Sequence, residues 1–224
     1  MPRTTANSKM IMAANPDSPI SEVYRTLKLN IEFSVFDREL KTITITSAND
    51  GEGKTTTALN LAAAYAKAGR KVVLVDANLR RPAVHLAFNE TNNTGLSNYL
   101  AGMSTVNDII KQSKVPNLTF IASGPIPPNP SELLASERMK SLLAELNEQY
   151  DVVIIDTPPA LSLTDARIIA TKCDGVLLVV NQGKLKRTEA KKLNDDLVHL
   201  KVNLIGVVFN KMNTKDAAAY LYRS

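Results

Sequence analysis

A chain of 224 residues, 44% hydrophobic and 22% charged, can bury a real core and is too apolar to be disordered throughout. The single cysteine, Cys173, excludes an internal disulfide framework and fits a reducing cytoplasm, and no apolar run approaches the roughly 18 to 20 residues of a membrane span. The net charge of +5 is modest, and its densest basic run, Lys184 to Lys192, has no interleaved aromatics for base stacking, so no nucleic-acid partner is expected.

Residues 1–17 are polar and aperiodic, which predicts a disordered N-terminal arm. Ser18-Pro19 reads as an N-cap with proline at the first helical position, and Ile20, Val23, Tyr24, Leu27 and Ile31 share one face of the ensuing helix. Glu22, Arg25 and Lys28 recur every three residues on its other side, a stripe that helix physics alone assigns to solvent. From Lys41 onward strands alternate with helices, with strands expected near 41–47, 71–76, 118–122, 151–156, 175–181 and 203–209. This alternation predicts one α/β domain over residues 18–212, with a mostly parallel central sheet and helices on both faces.

Within that domain the insertion from Arg80 to Gln112 holds two short helical patterns, Gly95–Ala101 and Thr105–Lys111. The proline-rich segment 123–130 braces the turn before a helix at Ser131. Cys173 falls at an apolar helix end, where a structural thiol is expected. The basic run opens a further helix and reads equally as a solvated face or as a docking surface for an acidic partner or a neighbouring subunit. Residues 213–224 are expected to form a flexible tail bearing Tyr220 and Tyr222.

Three stretches carry chemistry. In Ala48-Asn-Asp-Gly51-Glu-Gly53-Lys54-Thr55-Thr56 a glycine-rich turn leads from an alternating strand into a helix, the arrangement that offers backbone N–H groups and a helix's positive end to phosphate. Alanine occupies position 48, where the general phosphate-loop pattern has glycine, but Gly51 and Gly53 keep the close backbone approach. Asp50, Gly51, Glu52, Gly53, Lys54, Thr55 and Thr56 are therefore the expected nucleotide contacts, with Lys54 as the cation and Thr55 as a Mg²⁺ ligand. Asp76 and Asp156 each end a run of buried, β-branched residues and should sit beside the loop. Either could hold the metal or accept a proton from an attacking hydroxyl. Asn210, after the last strand, is a candidate adenine contact by its place at the sheet edge.

The loop Ser47 to Thr56, Asp76-Ala-Asn78-Leu-Arg80-Arg-Pro82, Asp156-Thr-Pro-Pro159, the Ser123 to Leu134 segment and the tyrosine tail together resemble the bacterial tyrosine kinases of capsular and exopolysaccharide synthesis. The resemblance runs from about Ser21 to the tail and is closest to the type made as a chain separate from its membrane adaptor. It implies a three-layer, Rossmann-like P-loop fold of the deviant-Walker group, with ATP and Mg²⁺ as cofactors. It also implies catalytic roles for Lys54, Asp76 and Asp156, with Asp76 as the base and Asp156 helping Thr55 to hold the metal. Tyr220 and Tyr222 would be autophosphorylation sites, reached between neighbouring subunits of a ring, an octamer by family resemblance.

Further implied partners are a transmembrane polysaccharide co-polymerase adaptor that recruits the cytoplasmic chain to the inner face of the plasma membrane, protein substrates of polysaccharide synthesis, and a cognate tyrosine phosphatase. The family's Glu-x-x-Arg-x-x-Arg interface stripe reads here Glu22-Val-Tyr-Arg25-Thr-Leu-Lys28. Lysine keeps the charge of that stripe but loses the planar fork. Asn78 stands where the family usually has aspartate, leaving Asp76 as the base candidate on its strand. The rival readings are a non-kinase ATPase switch of the same fold and a nucleotide-sensing scaffold. The switches carry a signature lysine where this chain has Asn49.

Overall fold

The computed structural model describes residues 10–34 and 40–212. In chain order the elements are α1 (Ile11–Ala14), α2 (Pro19–Phe33), β1 (Thr42–Ser47), α3 (Lys54–Lys67), β2 (Val72–Asp76), α4 (Val84–Phe88), α5 (Leu96–Leu100), α6 (Val106–Ile109), β3 (Ile110–Gln112), β4 (Leu118–Ile121), α7 (Pro130–Ala135), α8 (Glu137–Gln149), β5 (Val152–Asp156), α9 (Thr164–Ala170), β6 (Gly175–Asn181), α10 (Arg187–His199) and β7 (Leu204–Asn210). The strands form one sheet in the order β3-β4-β2-β5-β1-β6-β7, parallel except at β3. From β1 the chain crosses to β2 on one side and later continues to β6 on the other. The reversal opens a crevice at the carboxyl ends of β1, β2 and β5.

Both faces of the sheet are covered, so side-chain alternation divides two buried layers rather than core from water. Ile43 and Ile45 of β1, Leu74 of β2 and Ile154 of β5 pack with Ala58, Leu59 and Ala62 of α3. Val73, Val75, Val153 and Ile155 point the other way and meet Met139, Leu142 and Leu146 of α8. Each buried aliphatic side chain contributes roughly 1.5–3 kcal/mol. The threonines of β1 are buried as well, and two of their hydroxyls have clear partners. Thr46 donates to the Pro158 carbonyl at 2.9 Å and Thr42 to the Asp174 carboxylate at 2.8 Å.

Helix α2 starts as its sequence requires: Ser18 accepts a hydrogen bond from the Ser21 amide at 3.1 Å, and Pro19 fills the first turn. The apolar face is narrower than the periodicity suggested. Ser21 and Ile31 are buried and Tyr24 and Leu27 partly so, whereas Ile20 and Val23 are half exposed.

Two expectations need correction. The arm to Asp17 is not disordered over residues 10–17: α1 lies on α3, with Met10 and Met12 buried and the Met12 amide donating to Asn60 at 2.9 Å. Two methionines supply enough apolar surface to anchor a segment that has no helical period of its own. The helix expected over Thr105–Lys111 stops at Ile109, and β3 pairs antiparallel with β4, Ile110 opposite Ile121. β4 would otherwise be an edge with a row of unpaired amides and carbonyls, and β-branched Ile110 suits an extended backbone.

Candidate nucleotide and phosphoryl-transfer site

β1 delivers the chain to the crevice at Ser47, and α3 leaves it at Lys54. Between them Gly51 (φ 73°) and Gly53 (φ 100°) take the left-handed conformation that glycine accepts without cost. Gly53 is required twice, because a Cβ there would lie 2.0 Å from the Asn210 side-chain nitrogen. No side chain caps α3, so the first-turn amides around Lys54, Thr55 and Thr56 face the crevice unclaimed by a cap, as an anion site needs. Ala48, the departure from the general motif, is fully buried against Ala160 and Ala166, where its methyl group fills space.

The loop is held in shape from outside. Glu52 turns its carboxylate inward and accepts from the Asn49 amide at 2.8 Å and the Asn181 amide at 3.3 Å. Asn210 donates to the Glu52 carbonyl at 2.8 Å and Lys211 to the Gly51 carbonyl at 2.7 Å. The side chains of Glu52 and Asn210 thus brace the loop, and Glu52 offers a nucleotide its backbone alone. Lys54 is almost fully buried, its Nζ 3.8 Å from Asp50, whose exposed carboxylate also meets Arg81 at 3.3 Å.

The two aspartates are Cα partners in the β2–β5 register and both are fully buried. Asp76 is saturated by backbone: one oxygen accepts from the Asn78 amide at 3.1 Å, the other from Ala83 at 3.0 Å and Val84 at 2.9 Å. Asp156 accepts from the Thr55 hydroxyl at 2.6 Å, and its second oxygen, although buried, has no partner. Burial raises the pKa of both above the ordinary carboxylate range. For Asp76 the three amides and then Lys54 act against it, and for Asp156 the neighbouring Asp76 adds to it while Thr55 and Lys54 act against it.

An orphaned carboxylate oxygen beside a threonine hydroxyl and a phosphate cradle is the donor set Mg²⁺ takes when phosphates complete its shell. Among the described residues no group of three or more His, Cys, Asp or Glu could hold a metal ion. Asn78 lines the cavity at the mouth of the site. Its side-chain oxygen accepts from the Arg81 amide at 3.3 Å and shapes the turn over the loop.

A second constellation escaped the sequence reading. Arg80 forms a two-pronged pair with Asp165 on α9, at 2.8 and 3.2 Å, and donates to Ser131 on α7 at 3.0 Å. Ser131 in turn donates to Asp165 at 2.6 Å. Burial works against the charge on Asp165, but Arg80 and Ser131 outweigh it and hold the group below its usual range. The triad pins the segment after β2 across the mouth of the site. There a cavity of about 260 Å³ is lined by Asp50, Asn78, Arg80, Arg81, Pro158 and Leu163, among others. A first-turn acid such as Asp165 reads as a helix-end charge, and nothing local announces an arginine 85 positions away.

The stripe Glu22, Arg25, Lys28 lies on α2, outside the crevice, and is paired within the chain. Glu22 and Arg25 are 2.6 Å apart, and Lys28 and Glu32 are 2.8 Å apart. Tyr220 and Tyr222 lie outside the described residues.

Comparison with known proteins places this geometry. The AAA domain family model matches residues 40–205. The tyrosine-protein kinase YwqD of Bacillus subtilis is 44% identical over 213 residues, 95% of this chain and 90% of that one. The tyrosine-protein kinase CpsD of Streptococcus agalactiae is 38% identical over 86% of this chain and 83% of its own. Among solved structures, the chimerical protein CapA2B2 superposes with a TM-score of 0.89 at 42% identity, covering 92% of this chain and 91% of that one. The kinase domain of the Escherichia coli tyrosine kinase ETK gives 0.86 at 34%, covering 95% and 85%. The cell division ATPase MinD of Pyrococcus furiosus gives 0.66 at 25%, covering 81% and 79%, so the P-loop fold is shared with that ATPase. With its phosphate loop, paired strand-end aspartates and near full-length match to these relatives, the chain belongs to the bacterial tyrosine-protein kinase family.

Proposed function

We propose that the chain is an ATP-dependent protein-tyrosine autokinase serving capsular or exopolysaccharide synthesis. It would transfer the γ-phosphate to Tyr220 and Tyr222 of a neighbouring subunit and to partner proteins. The observation that carries this reading is the asymmetric aspartate pair, one carboxylate facing the Thr55 hydroxyl with a spare oxygen and the other fixed beside it at the mouth of the phosphate loop.

In this reading the backbone amides from Asp50 to Thr56 and the Lys54 ammonium cradle the phosphates. Thr55 and Asp156 would hold Mg²⁺, which would supply positive charge to the phosphates. Asp76, its pKa raised by burial, accepts the tyrosine proton, and its three amide donors keep it oriented while it does so. The acceptor ring enters through the cavity between Asn78–Arg81 and Pro158–Leu163, whose prolines offer flat apolar walls. Asn210 borders the adenine end.

Assembly follows the family resemblance. Glu22, Arg25 and Lys28 contact the next subunit of a ring, and exposed Ile20, Val23 and Phe33 on the same helix add apolar surface to that contact. No described helix is long and apolar enough to cross a membrane, and the existence of a CapA2B2 chimera supports recruitment by a separate transmembrane adaptor. A cognate phosphatase would reset the tail. Incubation with Mg-ATP and adaptor should produce phosphotyrosine, which Lys54→Met abolishes. A chain that never labels, with adaptor present, ends this reading in favour of a switch or scaffold.

A further inference from the structure

The strongest charged feature outside the site is the start of α10. Lys184, Lys186, Arg187, Lys191 and Lys192 form no ion pair among the described residues, and all five are exposed to solvent. The one acid within that run, Glu189, is occupied as a helix cap and accepts from the Lys186 amide at 3.0 Å. Five like charges within nine residues repel one another and cost stability unless an anion settles among them.

The place of this patch in the fold points to the anion. Strands β6 and β7 end side by side, Asn181 opposite Asn210, and the Gln182 amide donates to the Asn210 carbonyl at 3.1 Å. Lys184 comes two residues after Gln182, and Met212 two residues after Asn210. Met212, the last described residue, thus follows a strand end that is paired with the strand leading into the patch. Tyr220 lies eight residues past Met212, a reach of up to about 26–29 Å when extended, and Arg187 lies within about 18 Å of chain from Gln182.

We propose that, once Tyr220 or Tyr222 carries phosphate, the segment 213–224 docks on Lys184, Lys186, Arg187 and Lys191 of its own chain. This rests on the reading of those tyrosines as acceptors. Each phosphate brings a charge of about −1.5 to −2 and three acceptor oxygens, which suit an arginine fork flanked by lysines. Before modification the segment carries Lys215, Asp216 and Arg223 and has no excess of negative charge to hold it there. Phosphorylation would thus withdraw a used acceptor from the next subunit's site and leave that site free for other substrates.

The test uses the full chain with Tyr220→Phe and Tyr222→Phe, so that its own tail cannot acquire phosphate and compete. A synthetic peptide of residues 213–224 phosphorylated on both tyrosines is titrated against it, beside the unphosphorylated peptide. The phosphopeptide should bind at least about ten-fold more tightly and lose affinity as salt rises. Adding Lys184→Gln, Lys186→Gln, Arg187→Gln and Lys191→Gln should remove that advantage without lowering the melting temperature, since none of the four side chains is in the core and their mutual repulsion is relieved.

Equal binding of the two peptides, or undiminished binding to the quadruple variant, overturns the proposal. Binding of anionic phospholipid vesicles that depends on the same four residues, with no phosphopeptide binding, overturns it in favour of a membrane contact. Because the peptide is phosphorylated by synthesis, binding to a chain that never labels itself would uphold the docking surface while the kinase reading fails.

Discussion

The ends of β2 and β5 are nearly identical in sequence and opposite in wiring. Each strand is an aliphatic run closing on an aspartate, the two aspartates are in register, and both are sealed from solvent. Asp76 spends both oxygens on backbone amides of the segment that overhangs the site, whereas Asp156 spends one on Thr55 and keeps the other free. The difference teaches that one carboxylate builds the mouth of the site and the other equips its interior. Identical strand-end chemistry is divided into two jobs by the next few residues of each strand, an amide-rich turn after Asp76 and a proline pair after Asp156.

That division can be broken by substitution. Asp156→Asn should lower tyrosine phosphorylation by about 100-fold or more and blunt its Mg²⁺ dependence, because the spare anionic oxygen is gone. Its melting temperature should hold or rise, since a charge buried beside Asp76 is removed. Asp76→Asn should lose transfer and also about 1–3 kcal/mol of stability, because an amide side chain cannot accept from all three backbone donors. Calorimetry on the pair decides the matter. Should the Asp156 variant prove the less stable of the two, the share of the fold's stability assigned to Asp76 is wrong.

Gly53→Ala combines a left-handed backbone with a collision against Asn210 and should weaken nucleotide binding by about ten-fold or more, measured by titration with a fluorescent ATP analogue. The smallest effect is expected at the rim. Asp165 has its pKa lowered by Arg80 and Ser131, so its contribution is present above the unfolded carboxyl value near pH 4 and is lost as pH falls through its lower folded value. Asp165→Asn should flatten the acid limb of stability against pH and change neutral stability modestly. An unaltered acid limb would show that the Arg80–Asp165 pair leaves the mouth unanchored.

What was legible in the chain is what is local. The phosphate loop, the strand-end aspartates and six of the strands announce themselves through short-range spacing and hydrophobic runs, because glycine conformation and sheet burial act on neighbours in sequence. The features missed are long-range. The inward turn of Glu52 depends on an amide 129 residues away, and the Arg80 clamp on a carboxylate 85 away. The short strand β3 exists because β4 needed a neighbour, and α1 because two methionines found α3. Asn78, read as a gap in the metal site, occupies a turn where an amide oxygen is enough to accept from Arg81.

The seat of Asn210 on Gly53 has a mechanical consequence. Through that side chain and Lys211, the outermost strand is fastened to the loop that grips phosphate, so the two cannot loosen independently. By reciprocity, a nucleotide that stiffens the loop must slow amide exchange along β7, and any pull on the chain beyond Met212 must be felt as a change in nucleotide affinity of equal free energy. The last strand thus behaves as a lever whose short arm rests on the phosphates.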